Sequence, residues 1–285
     1  MASAVRPPTA TRPQIDASVT IDILQATLWQ LYISNLLLFL MALCISVAVY
    51  RDYHAFLRLG PGGTPSTFPG YLRICFLRLF AHRNPYDPSS VPLILRPERG
   101  HLYAKRANIP RRSGHRPEVT GIAPHRQITQ KGQPSDFAAL AAAIHSIADA
   151  RPLSLTLGTS CFEKHGTGLF SLHPQHPTCK GEVCHAHPSD GSLHLTLHPD
   201  DVRLVLERGW GERHPLAKGG WLTRFVPPGF VMIYAPRDAD ELSVVVEIIN
   251  AAVWWVQDRA ISGPYSMSEK GIEDVSNDCS GPYHM

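Results

Sequence analysis

SLHLTLHPDDVRLVLERG, Ser192 to Gly209, changes its period halfway along. Up to His198 the chain alternates: Leu193, Leu195 and Leu197 fall on one side of an extended backbone, and His194, Thr196 and His198 on the other. From Pro199 the pattern turns helical. Proline suits a first helical turn, Asp200 and Asp201 sit at the favourable end of the helix dipole, and Gly209 is a natural residue to end the helix. A strand with one apolar face and one imidazole face therefore runs straight into a helix.

Working outward, LSLTL (153–157), CFEKH (161–165) and GLFSL (168–172) read as further strands before this unit, and GFVMIYAP (229–236) as one after it. A helix precedes the strands, with Ser135 as a possible cap, FAALAAAIHSIADA as strong helix formers and Pro152 as the stop. A long helix with an apolar stripe, DADELSVVVEIINAAVWWVQD, closes the set. The order helix, strands, helix, strand, helix predicts an α+β fold with a mixed or antiparallel sheet backed by helices, over residues 135–260. There is no internal repeat.

Composition bounds the rest. In 285 residues, 44 % hydrophobic content is enough for a proper core, which excludes disorder throughout, and a net charge of +3 gives no reason to expect nucleic acid as a partner. Six cysteines without dense, even spacing predict reduced thiols. Of 15 histidines, eight lie between 165 and 214, so any chemistry is expected there.

The front of the chain reads differently. Residues 1–19 are rich in Pro, Ala, Ser and Thr and predict disorder, as do residues 261–285. LYISNLLLFLMALCISVAVY (31–50) carries no formal charge, and at 1.5 Å per residue it covers a hydrocarbon core of about 30 Å. Its Leu, Ile, Phe and Val residues together favour insertion by roughly 5 kcal/mol, so residues 20–50 are expected to be a single-pass anchor. Arg51 and Arg58 outweigh Arg12 and Arg6, placing the bulk of the chain on the cytosolic side, at the endoplasmic reticulum or another endomembrane. Residues 51–134 form a basic, Pro-rich juxtamembrane region. Within it, PGYLRICFLRLFAHR (69–83) fits either a helix at the lipid headgroups or a core helix. Residues 96–131 hold nine Lys or Arg against Glu98 and Glu118, which suits anionic lipid, an acidic or phenolate substrate, or a solvated linker.

Several chemistries compete for the polar cluster. Cys179, Cys184, His185 and His187 resemble a metal comb, but no second ligand pair follows. His185 and His187 with Asp190, Glu212 or Glu182 would make a two-histidine, one-carboxylate iron site. The His-x-Ser/Thr pairs of two-histidine phosphoesterases occur four times here and so do not discriminate. If the turn GWGERHPLA (209–217) folds over the polar face of the sheet, His185, His187, His194 and His214 share a pocket with Glu163, Asp190 and Glu212, and such crowding tunes a general base towards neutral pH.

RDYHAFLRLGP (51–61), FPGYLRICFLRLF (68–80), RSGHRPEVTGIAPHRQITQ (112–130), CFEKH, HAHPSDGSLHLTL (185–197), GWGERHPLA and IYAPRDADELSVVVEII (233–249), in this order, resemble the fungal luciferase family and its relatives carrying the luciferase domain. The resemblance covers nearly the whole chain. It departs in 173–183 and in the spacing of His187 to His194, both of which bear on pocket shape.

The resemblance implies oxidation of a 3-hydroxy-α-pyrone, or a related enolisable polyketide or phenolic of secondary metabolism, by O2 as co-substrate. It implies no metal or organic cofactor, and a peroxide that loses CO2; light emission does not follow. One of His185, His187, His194 or His214 is then expected to be the base, in a catalytic set with Glu212 and Arg213. Arg213, Arg237 and Tyr234 would hold the anion, Trp210 would form an apolar wall, and Glu163, His165 and Asp190 would complete the substrate site. A non-catalytic membrane-tethered binding protein and a metal-dependent oxygenase or hydrolase are the competing readings.

Overall fold

The computed structural model describes residues 17–88, 99–104, 109–176 and 178–257. Most of the N-terminal segment expected to be loose, the whole of the tail 261–285 and part of the basic stretch 96–131 lie outside them. The chain divides into two compact units, residues 1–54 and 55–285.

The described residues of the first unit all belong to helix α1 (Ala17–Arg58), whose last four residues fall in the second; the helix starts earlier and ends later than the span expected from composition. From Ile21 to Tyr50 every side chain is exposed, and the stretch Ile21–Arg58 is long and apolar enough to cross a membrane.

In the second unit, α2 (Phe68–Arg78) starts at Thr67, whose hydroxyl accepts the Gly70 N–H at 3.3 Å, and buries Tyr71, Ile74 and Leu77. After α3 (His101–Ala104) comes a hairpin of β1 (Val119–Gly121) and β2 (His125–Gln127). Its Gly121 has φ +84°, and a Cβ there would lie 2.2 Å from the Pro124 carbonyl oxygen, so only glycine makes this turn. Helix α4 (Pro134–Asp149) follows. It is capped at Gln133 rather than Ser135, because Pro134 takes the first helical position and the Asp136 carboxylate accepts the Gln133 N–H at 3.0 Å.

The main sheet has six strands: β3 (Leu155–Thr159), β4 (Thr167–Ser171), β5 (Glu182–Ala186), β6 (Leu193–Thr196), β7 (Gly211–Arg213) and β8 (Phe230–Ile233). Their spatial order is β3-β4-β5-β6-β8-β7, and every pairing is antiparallel. Helices α5 (Pro199–Arg208) and α6 (Ala239–Gln257) complete an α+β fold. Leu193, Leu195 and Leu197 pack with Val245, Ile248, Ile249 and Ala252 of α6 in the apolar core, as the alternation predicts. The opposite face of β6 carries His194 and Thr196.

Three further readings change. Cys161–His165 is not a strand but the loop joining β3 to β4. There Lys164 takes φ +61° and donates its N–H to the Ser160 carbonyl at 2.8 Å, a conformation no strand accommodates. Cys161 and Cys179 are joined as a disulfide with Cα atoms 6.2 Å apart, where reduced thiols were expected; the loop and the 3-10 turn Cys179–Gly181 bring together cysteines 18 residues apart. GWGERHPLA is not a flap over the sheet. Its Gly211–Arg213 pairs with β8 as the edge strand β7, with Glu212 opposite Met232.

Candidate functional site

Register places the polar groups. His185 lies directly opposite His194, His194 opposite Met232, and Met232 opposite Glu212, so β5, β6, β8 and β7 present His185, His194 and Glu212 in one row on one face. His187 stands just past β5, where its N–H donates to the Ser192 carbonyl and its own carbonyl accepts from Gly191, each at 2.8 Å, to close the β5–β6 hairpin. The β1–β2 hairpin then lays His125 onto His194, their rings stacked with centroids 5.3 Å apart. His125, His185, His187, His194 and His214 are each at most 3 % exposed.

The hydrogen bonds of these groups fix a direction. The Asp190 carboxylate accepts from the Ser192 hydroxyl at 2.6 Å, so that hydroxyl oxygen must accept from His187 Nδ1–H, 2.9 Å away. His187 Nε2 then bears a lone pair and accepts from His194 Nδ1–H at 3.0 Å. By the same logic His194 Nε2 accepts from His125 Nδ1–H, also at 3.0 Å. One carboxylate thus sets three tautomers in series. The free end is His125 Nε2, 3.7 Å from Glu212 Oε1, and Glu212 Oε2 accepts the Tyr234 hydroxyl at 3.0 Å.

Burial sets the charges. It lowers the pKa of His187 and His194, the neighbouring imidazoles lower that of His194 further, and these rings are neutral near pH 7. Burial alone would raise Glu163 and Asp190. The Arg126 hydrogen bonds with nearby His187 outweigh it for the first, and His187 with Ser192 for the second, so both carboxyls sit below their ordinary values. Burial, then Glu212, pushes Tyr234 up and keeps its phenol protonated.

The other expected residues separate into those that join this layer and those that do not. Glu163 takes a bidentate pair from Arg126, at 3.1 and 2.7 Å, and lies 3.7 Å from His187 Nε2. His165 approaches Glu163 at 3.5 Å but is 42 % exposed at its side chain. His214 borders the layer with both nitrogens engaged: Nε2 donates to the Ile122 carbonyl at 2.9 Å and Nδ1 accepts the Leu216 N–H at 3.2 Å. It is therefore held neutral with no lone pair to offer a substrate, and burial lowers its pKa.

Arg213, one residue on from Glu212, donates to the carbonyls of Asp87, Ala217 and Pro228 instead of facing the imidazoles. Arg237 is tied to Glu241 and Ser113. Trp210 belongs to the apolar core, its indole N–H on the Pro110 carbonyl at 2.7 Å, so it is not the wall of this site. Phe230 and Phe162 take that place, with Phe230 stacked on His194 at 5.0 Å and meeting Phe162 at a tilt, 4.6 Å between centroids.

Sequence reasoning missed His125 and Arg126. They sit in a basic, Pro-rich stretch whose dominant signal is charge, and only the hairpin's return over a strand 69 residues away brings His125 into the site. Glu182 and Ser192 were missed as orienting groups. Glu182 accepts from His185 Nδ1 at 2.6 Å while also holding Ser160 Oγ and the Cys161 N–H, each at 2.7 Å.

Among the described residues two sets of three histidines come close enough to hold a metal ion, and one is better suited to it. His185, His187 and His194 each bring a ring nitrogen within 4.8 Å of the other two, and the Nδ1 atoms of His185 and His187 are both held by partners, as in orienting shells of metal sites. His125, His194 and His214 meet the same distance criterion, but the backbone contacts of His214 leave it no ligand atom. Cys179 is in the disulfide and Cys184 is buried within the apolar core, so the Cys/His comb does not form.

The fold and site define a class: an α+β domain behind an apolar N-terminal helix, with buried imidazoles in series on one sheet face. The luciferase domain family model matches residues 180–252, which contain His185, His187, His194 and Glu212. Over 226 residues the chain is 35 % identical to the luciferases of Neonothopanus nambi, Armillaria ostoyae and Armillaria gallica, covering 73 % of this chain and 81 % of each of theirs. No solved structure matches it. The chain belongs to the fungal luciferase family.

Proposed function

We propose that this protein is a membrane-tethered oxygenase that uses O2 on a hydroxypyrone or a related enolisable ring, without a metal or organic cofactor. The observation that carries the reading is the one-directional series His125, His194, His187, Ser192, Asp190, whose open lone pair is His125 Nε2. That nitrogen takes the enol proton. His125 keeps donating its Nδ1–H to His194, and the hydrogen bonds that run on to the ionised Asp190 orient the base and support the imidazolium as it forms.

Glu212 stabilises the imidazolium, and the protonated Tyr234 donates its hydroxyl to Glu212 and holds that carboxylate in place. The enolate left behind is electron-rich enough to reduce O2. A carbon–oxygen bond forms, the ring carbon is oxidised, and the peroxide breaks down with loss of CO2. Phe162 and Phe230 provide the apolar, water-excluding wall. Because His125 is only 3 % exposed, substrate entry requires its hairpin to shift. In this reading α1 is a single-pass anchor and the second unit works on the cytosolic side of an endomembrane.

The oriented nitrogens of His185 and His187 favour a second reading, a metal-dependent oxygenase. O2 uptake with a panel of hydroxypyrones, run with metal analysis of the same sample, separates the two. Turnover that persists after chelation supports the first, and turnover that follows metal content supports the second.

A further inference from the structure

Helix α2 buries one face and exposes another that is apolar. Phe68, Leu72, Phe76 and Leu79, spaced as one helical stripe, are 47 to 77 % exposed. Phe76 packs on Phe80 at 5.2 Å, Phe80 meets Trp221 edge-on at 5.0 Å, and Trp221 is itself 49 % exposed. The stripe is therefore extended by Trp221, 141 residues beyond Phe80 in the chain. Such a continuous apolar surface is unusual on a water-facing domain.

Its surroundings are basic. Arg73 and Arg224 both lie over the Phe225 ring, at 5.9 and 5.7 Å, and the Lys218 ammonium donates to the Phe80 carbonyl at 2.9 Å. Arg78 and Arg83 follow on the first segment. Neither 68–83 nor 217–226 contains an acidic residue.

From these observations we infer that α2 and the Trp221 turn form a second membrane contact, lying at the headgroup level of a bilayer that contains anionic lipid. Three features select lipid over a protein partner. Apolar side chains flanked by cations, with a tryptophan at the edge, match the cross-section of an interface. Basic charge without acid suits anionic headgroups. The tether is also short: α2 starts ten residues after α1 ends, a reach of at most about 36 Å. The last of these features, the short tether, rests on α1 being the anchor. The contact would hold the second unit in a fixed attitude to the bilayer and give an apolar substrate a path from the lipid.

The test uses the full chain in phosphatidylcholine vesicles, with or without phosphatidylserine at about 30 %, and a photo-crosslinking benzoylphenylalanine in place of Phe76, Leu79 or Trp221. Leu153, 88 % exposed and outside the patch, is the control for chance contact, and Leu38 within α1 reports the anchor separately. We expect lipid adducts at 76, 79 and 221 exceeding those at 153 by about tenfold, falling when phosphatidylserine is omitted or when Arg73, Arg78 and Arg224 are changed to Glu.

Adducts at 38 with no excess at 76, 79 and 221 would overturn the contact and leave the anchor standing. Crosslinks from these positions to a second protein chain would also overturn it. Adducts at 76, 79 and 221 with none at 38 would support the contact and remove the anchor, and silence at all positions would remove both.

Discussion

His125 Nδ1 and His194 Nε2 lie 3.0 Å apart although they belong to different sheets and are 69 residues apart in sequence. This contact joins the hairpin to the sheet's imidazole row and gives the series its open end. If the series orients the base at that end, its members act as a unit. His194→Ala and His187→Ala should each lower kcat by about 100-fold or more, and the double variant should be no slower than the worse single one, as kinetics of the three variants will show.

His214 serves structure. Its two backbone hydrogen bonds tie the Ile122 turn to the Leu216 turn. His214→Ala leaves both backbone partners buried and unpaired, with a void, and should cost roughly 3 kcal/mol, read as a lower urea midpoint. Turnover per folded molecule should fall far less than in the His194 variant.

The pair of Arg126 and Glu163 is nearly closed to water, at 6 and 11 % side-chain exposure. Arg126→Met strands a buried carboxylate beside His187 and should destabilise by about 3–5 kcal/mol, whereas adding Glu163→Gln should recover much of that loss. Denaturant melts of the single and double variants check this.

Two opposite pH slopes are expected. The lowered pKa values of His187, His194 and His214 mean that, below about pH 6.5, the unfolded chain binds protons that the folded one refuses, so stability falls as pH drops. Asp201 behaves in the contrary sense. Burial, partly offset by the N–H groups of Tyr103, His101 and Leu102, raises it to about 7, so the folded chain retains a proton that the unfolded one has lost. Its contribution declines as pH rises from the ordinary carboxyl value towards about 7. Asp201→Asn should abolish that decline and leave the acid limb, as urea midpoints between pH 4 and pH 8 would reveal.

Local signals carried the elements that depend on local physics. The alternation at 193–197 gave β6, and Pro199, the paired aspartates and Gly209 gave α5; the structure adds His198 Nδ1 accepting the Asp200 N–H at 3.1 Å as the helix cap. The sequence was misleading where pattern and backbone disagree. CFEKH has strand-like composition, yet Lys164 requires a left-handed residue and the segment turns. GWGERHPLA looks like a turn from its glycines and proline, but Gly211 is needed because a Cβ there would lie 2.2 Å from the Met232 carbonyl oxygen in the β7–β8 pairing. The histidines of 185–194 were legible as one face because strand period is two. The resemblance places Trp210 and Arg213 in the site beside Glu212, but their contacts lie in the core and in the loops. His125 had no local signal at all.

Initial O2 uptake by chelator-treated wild-type protein and by His125→Gln, on an enolisable hydroxypyrone, tests the proton-acceptor assignment most directly. We predict that the wild type consumes O2 without metal and that His125→Gln, folded as judged by its melt, is slower by at least about 100-fold. Full activity in His125→Gln, or wild-type activity that vanishes with the metal and returns on adding it, would contradict the account.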